Sequence, residues 1–161
     1  MAFASARAAV AYAGISRAAV RAWKEHALRP VAGLAADLVA EVVPRPAADV
    51  ITYIPPDGDR SLKRGHHPAG RLARELAAAW GLELRPLLAR TRRVEQQATL
   101  PLAERRRNVR GAFRASGVSP RRVVLVDDVY TSGATVNAAA SALRAAGARR
   151  VDVVTFARAV R

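Results

Sequence analysis

The sequence predicts an α/β protein: a mainly parallel sheet flanked by helices, forming a single compact domain. Three observations lead there. Short β-branched runs at residues 50–54, 122–126 and 151–156 alternate with segments of helical period. The run V-V-L-V at residues 123–126 ends in Asp127 and Asp128, and parallel sheets bind ligands beyond the carboxyl ends of their strands. The chain has 161 residues and 51% apolar content, enough for one core, and an arginine, proline or acid interrupts every apolar window before it could span a membrane.

Residues 5–43 are alanine-rich and helical in pattern, with Val20, Trp23, Leu34, Leu38 and Val42 spaced for an apolar stripe. Pro30, Pro44 and Pro46 divide this stretch into two helices and a linker, so residues 1–47 are expected to pack as a helical segment on a core of residues 48–161. Arg7, Arg17, Arg21 and Lys24 without an acid imitate a transit peptide, but the helical pattern continues past them and we read them as part of the fold. Val50, Ile51, Thr52, Tyr53 and Ile54 then make a strand stopped by Pro55 and Pro56. Ala69, Leu72, Ala73, Leu76, Ala77 and Trp80 follow at helical spacing, with Pro68 in the first turn and Gly81 at the end.

Residues 82–88 read as another strand, placed near an edge or an end by Pro86. Residues 90–121 are polar and aperiodic, anchored by Leu100, Leu102, Val109 and Phe113, and so long a charged connection implies function or mobility. A strand at 122–126, a helix over 134–146 with Val136, Ala140 and Leu143 on one face, a stop at Gly147 and a strand at 151–156 complete the pattern. Right-handed crossovers and a mainly parallel sheet follow.

The absence of cysteine excludes disulfides and thiolate metal sites, and nothing argues for export, so a cytoplasmic location is expected. The formal charge is +14, and only Lys24 and Lys63 among the 27 basic residues are lysines. Residues 90–122 hold ten arginines against Glu95 and Glu104, a balance of +8, so more than half the net charge lies in one-fifth of the chain.

Thr131, Ser132, Gly133, Ala134 and Thr135 open the helix after the two aspartates. Unpaired N–H groups and the helix dipole favour an anion there, Gly133 permits close backbone approach, and the hydroxyls of Thr131, Ser132 and Thr135 can donate to its oxygens. Acids beside an anion cradle suit a sugar phosphate: the carboxylates accept hydrogen bonds from vicinal ribose hydroxyls while the loop binds the phosphate. The plainer alternative is a strand-to-helix turn capped by Ser132 or Thr131, with solvated aspartates. A receiver domain is excluded because no lysine follows Asp128, and the pattern G-x-x-x-x-G-K-[ST] is absent.

The segment L-V-D-D-V-Y-T-S-G-A-T resembles the phosphoribosyl-diphosphate (PRPP) signature of type I phosphoribosyltransferases. Gln97-x-x-Leu100, Arg105-x-x-Asn108-Val109 and Gly111-Ala112-Phe113 are similar to the segment before that signature in the ComF family of competence-related, phosphoribosyltransferase-like proteins. Arg64-Gly65 with Ala69-x-x-Leu72-Ala73 is similar to that family's R-G-F-N-Q-A-x-x-L-A element, and Pro55 to its strand-end proline. The resemblance covers roughly residues 48–158. Two departures stand out: His66-His67-Pro68 replaces F-N-Q, and the cysteine-rich zinc module common at the family's start has no counterpart in this sequence. Tyr12, Gly14 and Lys24 match the segment just after that module.

The resemblance implies a type I phosphoribosyltransferase fold and a 5-phosphoribosyl group bound or transferred with Mg²⁺. Asp127 and Asp128 would hold the ribose hydroxyls and residues 131–135 the 5′-phosphate. Asp57, Gly58, Arg60, Arg64 and Arg105 are the candidates for the pyrophosphate. Asp127, Asp128 and Arg105 form the catalytic set, with residues 91–113 as the loop that closes over PRPP. Candidate partners are PRPP, an unidentified acceptor, single-stranded DNA or a competence helicase, and a second copy of the chain; no direct metal ligand is assigned. The competing class is a non-catalytic single-stranded DNA-binding competence factor that uses the +8 segment, against which stands the 5% aromatic content. His66 and His67 are expected in a surface or loop role rather than on a metal, and Trp23, Trp80 and Phe113 in the core.

Overall fold

The structure is a computed structural model that describes residues 1–26, 29–56, 67–91, 111–115 and 122–159. Its elements run β1 (Ser5–Ala11), α1 (Gly14–His26), α2 (Arg29–Val42), β2 (Val50–Tyr53), α3 (Pro68–Trp80), β3 (Glu83–Leu84), β4 (Leu88–Arg90), β5 (Phe113–Ala115), β6 (Arg122–Tyr130), α4 (Ala134–Ala145) and β7 (Arg150–Arg158). A five-stranded sheet of order β1-β7-β6-β2-β3 is parallel throughout, as the alternation of strands and helices predicts. Beside it, β4 and β5 form a two-stranded antiparallel ribbon.

The central strands are buried on both faces, and their alternation sorts the core into two halves. Val124 and Val126 point with Ile51 and Val154 toward α1, α2 and α3, where they meet Trp23, Val39, Leu72 and Leu76. Val123 and Leu125 point with Val50, Val151 and Val153 the other way, onto Val136 and Leu143 of α4 and onto Leu88 and Phe113 of the ribbon. Trp23, Trp80 and Phe113 are core residues as expected. Helix α3 begins on Pro68 and stops at Gly81, whose left-handed φ of 60° lets the cap N–H groups reach the last carbonyls.

Three expectations are corrected. Residues 5–11 form an edge strand, not a helix, pairing in register with β7 from Ser5↔Asp152 to Ala11↔Arg158; alanine's helical preference of under about 1 kcal/mol per residue yields to a full parallel ladder. The apolar stripe on α2 is rotated: Ala32, Ala35, Ala36 and Val39, with Val43 just after the helix, face the core, whereas Leu34 and Val42 are exposed. In an alanine-rich helix the small face packs closest, so the larger side chains do not mark the buried side. The strand expected over residues 82–88 is divided at Pro86 into β3, on the sheet edge, and β4, in the ribbon. Between them the buried Thr52 hydroxyl accepts the Leu87 N–H at 3.2 Å.

Candidate functional site

The site is built where two ladders end at different heights. On one side of β6, pairing with β2 stops at Tyr53↔Val126, with the Ile54 N–H on the Val126 carbonyl. On the other side, pairing with β7 continues to Tyr130↔Arg158. Strand β6 therefore overhangs β2 by four residues, and Asp127 and Asp128 occupy that overhang at the carboxyl edge of the sheet. The strand ran further than the expected 122–126 because β7 supports it after the apolar run has ended.

The two carboxylates take up local backbone donors. Asp128 N–H donates to Asp127 Oδ1 and Val129 N–H to Asp128 Oδ1, each at 2.9 Å. Asp128 is buried, and its Oδ2 accepts the ammonium of Lys24 at 2.6 Å. Burial, then the adjacent Asp128 charge, push the Asp127 carboxyl well above the usual carboxylate range, with Lys24 acting in the opposite direction. Burial works against the Lys24 ammonium, but the Asp128 carboxylate outweighs it, with Asp127 adding, and holds Lys24 above the ordinary lysine value.

After Tyr130 the chain turns through Thr131 and Ser132 into α4. Gly133 has φ 74°, and a Cβ there would collide with the Tyr130 ring, 2.7 Å from its Cζ. Glycine is required both for the left-handed turn and for the ring packed beneath it. The Tyr130 ring is itself held edge-on by Phe3, at 6.5 Å, and covered by the Arg158 guanidinium at 5.0 Å. Ser132 Oγ accepts the Ala134 N–H at 3.4 Å, and the Asn137 N–H closes the first turn on the Gly133 carbonyl. The remaining first-turn N–H groups of α4 have no partner within the helix, and they lie beside partly buried Ser132, Ala134 and Thr135. The geometry suits an anion at the loop and hydroxyl donors at the acids.

Of the residues singled out in the sequence, Asp127, Asp128, Thr131, Ser132, Gly133, Ala134 and Thr135 thus share one edge of the sheet. Asp57, Gly58, Arg60, Arg64, Arg105 and His66 lie outside the described residues, as do Gln97, Leu100, Asn108 and Val109. The expected closing loop, residues 91–113, is described only at its ends. Those ends are joined: Arg90 pairs with Phe113 across the ribbon, and the Thr91 N–H donates to the Ala112 carbonyl at 3.0 Å. Arg90 donates to the Pro55 carbonyl at 3.0 Å and stacks over Phe113 at 4.9 Å, tying the ribbon to the loop after β2. His67 packs its ring on Tyr53 at 5.3 Å, and among the described residues no cluster of three or more His, Cys, Asp or Glu could hold a metal ion. Lys24 is the site residue to which sequence reasoning assigned no role. Its signals were its match to the segment after the family's zinc module and its type, one of two lysines in a chain that otherwise uses arginine.

A family model described as a phosphoribosyl transferase domain matches residues 62–160, well over half of the chain, and the chain belongs to that family. Curated relatives fix the branch. Competence protein F of Haemophilus influenzae is 34% identical over 106 residues, 62% of this chain and 46% of the relative. Competence protein ComFC of Streptococcus pneumoniae is 36% identical over 104 residues, covering 64% and 44%. DNA utilization protein YhgH of Escherichia coli O157:H7 is 41% identical over 83 residues, covering 51% and 35%. The chain is thus a ComF-family, phosphoribosyltransferase-like protein, and its matches span under half the length of these relatives. No described helix is long and apolar enough to cross a membrane.

Proposed function

We propose that this chain binds PRPP and transfers its 5-phosphoribosyl group to an acceptor. The observation that carries the reading is the acid pair of the β6 overhang placed directly before the glycine-turned, hydroxyl-bearing start of α4. Asp127 and Asp128 accept the ribose hydroxyls, and residues 131–135 cradle the 5′-phosphate. In the reaction the bond between ribose C1 and the pyrophosphate oxygen breaks, pyrophosphate leaves, and C1 bonds to the acceptor. Positive charge builds on the sugar ring beside the carboxylates, and negative charge on the leaving group, for which Arg105 and the residues between 57 and 64 are the proposed donors. Mg²⁺ would accompany PRPP as its counter-ion and would offset the negative charge developing on the pyrophosphate; no residue of the chain is assigned to hold it.

Calorimetry with PRPP and Mg²⁺ tests this. The wild type should bind, and the Asp127→Asn/Asp128→Asn double variant should lose about 100-fold in affinity, two charge-assisted hydrogen bonds at about 1.5 kcal/mol each. A wild type without detectable binding ends the reading. Coupled assays with adenine, guanine, orotate and ammonia then search for the acceptor.

A second reading, a competence factor that holds single-stranded DNA, is favoured by the names of the relatives and by the +8 balance of residues 90–122. It requires oligonucleotide affinity that falls steeply with salt, and a shallower slope when Arg105, Arg106 and Arg107 are changed together to alanine. An unchanged slope returns those arginines to the pyrophosphate.

A further inference from the structure

We propose that Lys24 is the positioning residue of the ribose end of this site, holding Asp128 in place and offsetting part of the repulsion within the acid pair, so that α1 is part of the site. The proposal rests on the PRPP reading for its ligand, but the contact on which it stands is independent of it. Adjacent carboxylates at a partly closed sheet edge repel each other, and a cation in contact offsets part of that repulsion. Lys24 supplies that cation: its Nζ lies 2.6 Å from Asp128 Oδ2, a charge-assisted bond at the short end of the normal range.

The helix that carries the lysine is fixed. Val20 and Trp23, on the core side of α1, are 1% and 0% exposed, so the ammonium is delivered by an element locked into the sheet's core. The side chain itself remains 42% exposed, which leaves the edge of the pair open to solvent and to a ligand. The residue type fits the task. An arginine fork tends to engage both oxygens of a carboxylate, whereas an ammonium is a compact charge that takes one. At Asp128 the Val129 N–H falls on Oδ1 and the Lys24 ammonium on Oδ2, so the lysine engages a single oxygen, and these two donors do not fill the acceptor capacity of a carboxylate.

The test is calorimetry of Mg²⁺–PRPP with wild type, Lys24→Met and Lys24→Arg between pH 6 and 8.5. Lys24→Met should bind about tenfold more weakly at pH 7.5, and the acid limb of its affinity profile should move up by about one pH unit, the usual effect of losing an opposite charge in contact. Lys24→Arg should keep the wild-type position of the acid limb but bind more weakly than wild type, because its fork also engages the oxygen that a ribose hydroxyl would use. Wild-type affinity and an unmoved profile in Lys24→Met would overturn the proposal, as would a loss equal at every pH, the mark of a packing effect.

A second measurement separates this proposal from the PRPP reading. The carboxyl carbons of Asp127 and Asp128 are titrated by NMR without ligand in wild type and Lys24→Met, with Lys24→Gln replacing the latter if it fails to fold. Should the wild type not bind PRPP, that reading falls, yet upward-moved midpoints in the variant still place Lys24 in control of the pair. Unmoved midpoints sink the Lys24 proposal whatever PRPP does.

Discussion

The two ends of the sheet handle buried acid in opposite ways. At the amino end, Asp152 of β7 is only 5% exposed and fully provided for: Arg150 grips it with Nε at 2.7 Å and a second guanidinium nitrogen at 2.9 Å, and the Ser5 hydroxyl donates at 2.7 Å. Burial opposes its charge, but these bonds outweigh it and hold its pKa below the ordinary value. At the carboxyl end, Asp127 and Asp128 share one lysine, and Asp127 titrates well above the ordinary range. The same residue type thus serves the fold at one end, while at the other it sits where burial and a neighbouring acid disfavour its charge. An acid whose surroundings do not stabilise it is the better marker of a site.

The largest change in stability that this contrast predicts is at the satisfied end. Asp152→Asn keeps the shape but places an amide against Arg150 and removes the charge from three hydrogen bonds, which should cost about 1–3 kcal/mol. Because the folded pKa is depressed, the contribution of Asp152 is present above the unfolded carboxylate value and is lost as the pH falls through the folded one. Wild type and variant should therefore differ in Tm at pH 7 and converge below about pH 4. PRPP affinity should not change, since Asp152 stands near the amino end of β7. An equal Tm at pH 7 would erase the distinction between the two ends.

Next in size is Gly133→Ala, which forces a side chain into the left-handed region and into the Tyr130 ring, at about 1–2 kcal/mol. Here stability and ligand affinity should fall together, because the same turn aims the first N–H groups of α4. Tyr130→Phe in the same chain should recover part of the stability, since it removes the hydroxyl that the new Cβ meets first. A Gly133→Ala variant that melts like wild type and binds like it would show that the turn is not constrained.

Much of this was legible in the sequence where period and punctuation agree. Helix α3 was readable from Pro68, its heptad of small and large apolar residues, and Gly81; the acids and the hydroxyl loop were readable because a strand-end motif is local in the chain. What escaped was decided by partners remote in sequence. An alanine-rich Ser5–Ala11 becomes a strand only because β7, about 147 residues away, offers it an edge. The inward side of α2 is chosen by how closely Ala32, Ala35 and Ala36 approach their neighbours, which hydrophobicity alone does not encode. Lys24 is separated from Asp128 by 104 positions, and only the packing of α1 through Trp23 brings them together.

The smallest predicted effect has the opposite sign and is the sharpest test of the contrast. Asp127→Asn keeps an oxygen for the Asp128 N–H while removing a charge that burial and Asp128 disfavour. A raised folded pKa means that the wild-type carboxyl is no burden below the unfolded value, and that its burden grows as the pH rises toward the folded one. The variant should thus match wild type in Tm near pH 4 and exceed it by a few degrees at most at pH 8, while binding PRPP more weakly. Stability gained where ligand affinity is lost is what a group retained for function should show. If Asp127→Asn instead lowers Tm at pH 8, the acid pair is as well compensated as Asp152, and the carboxyl end of β6 is held together by the same logic as the amino end of β7.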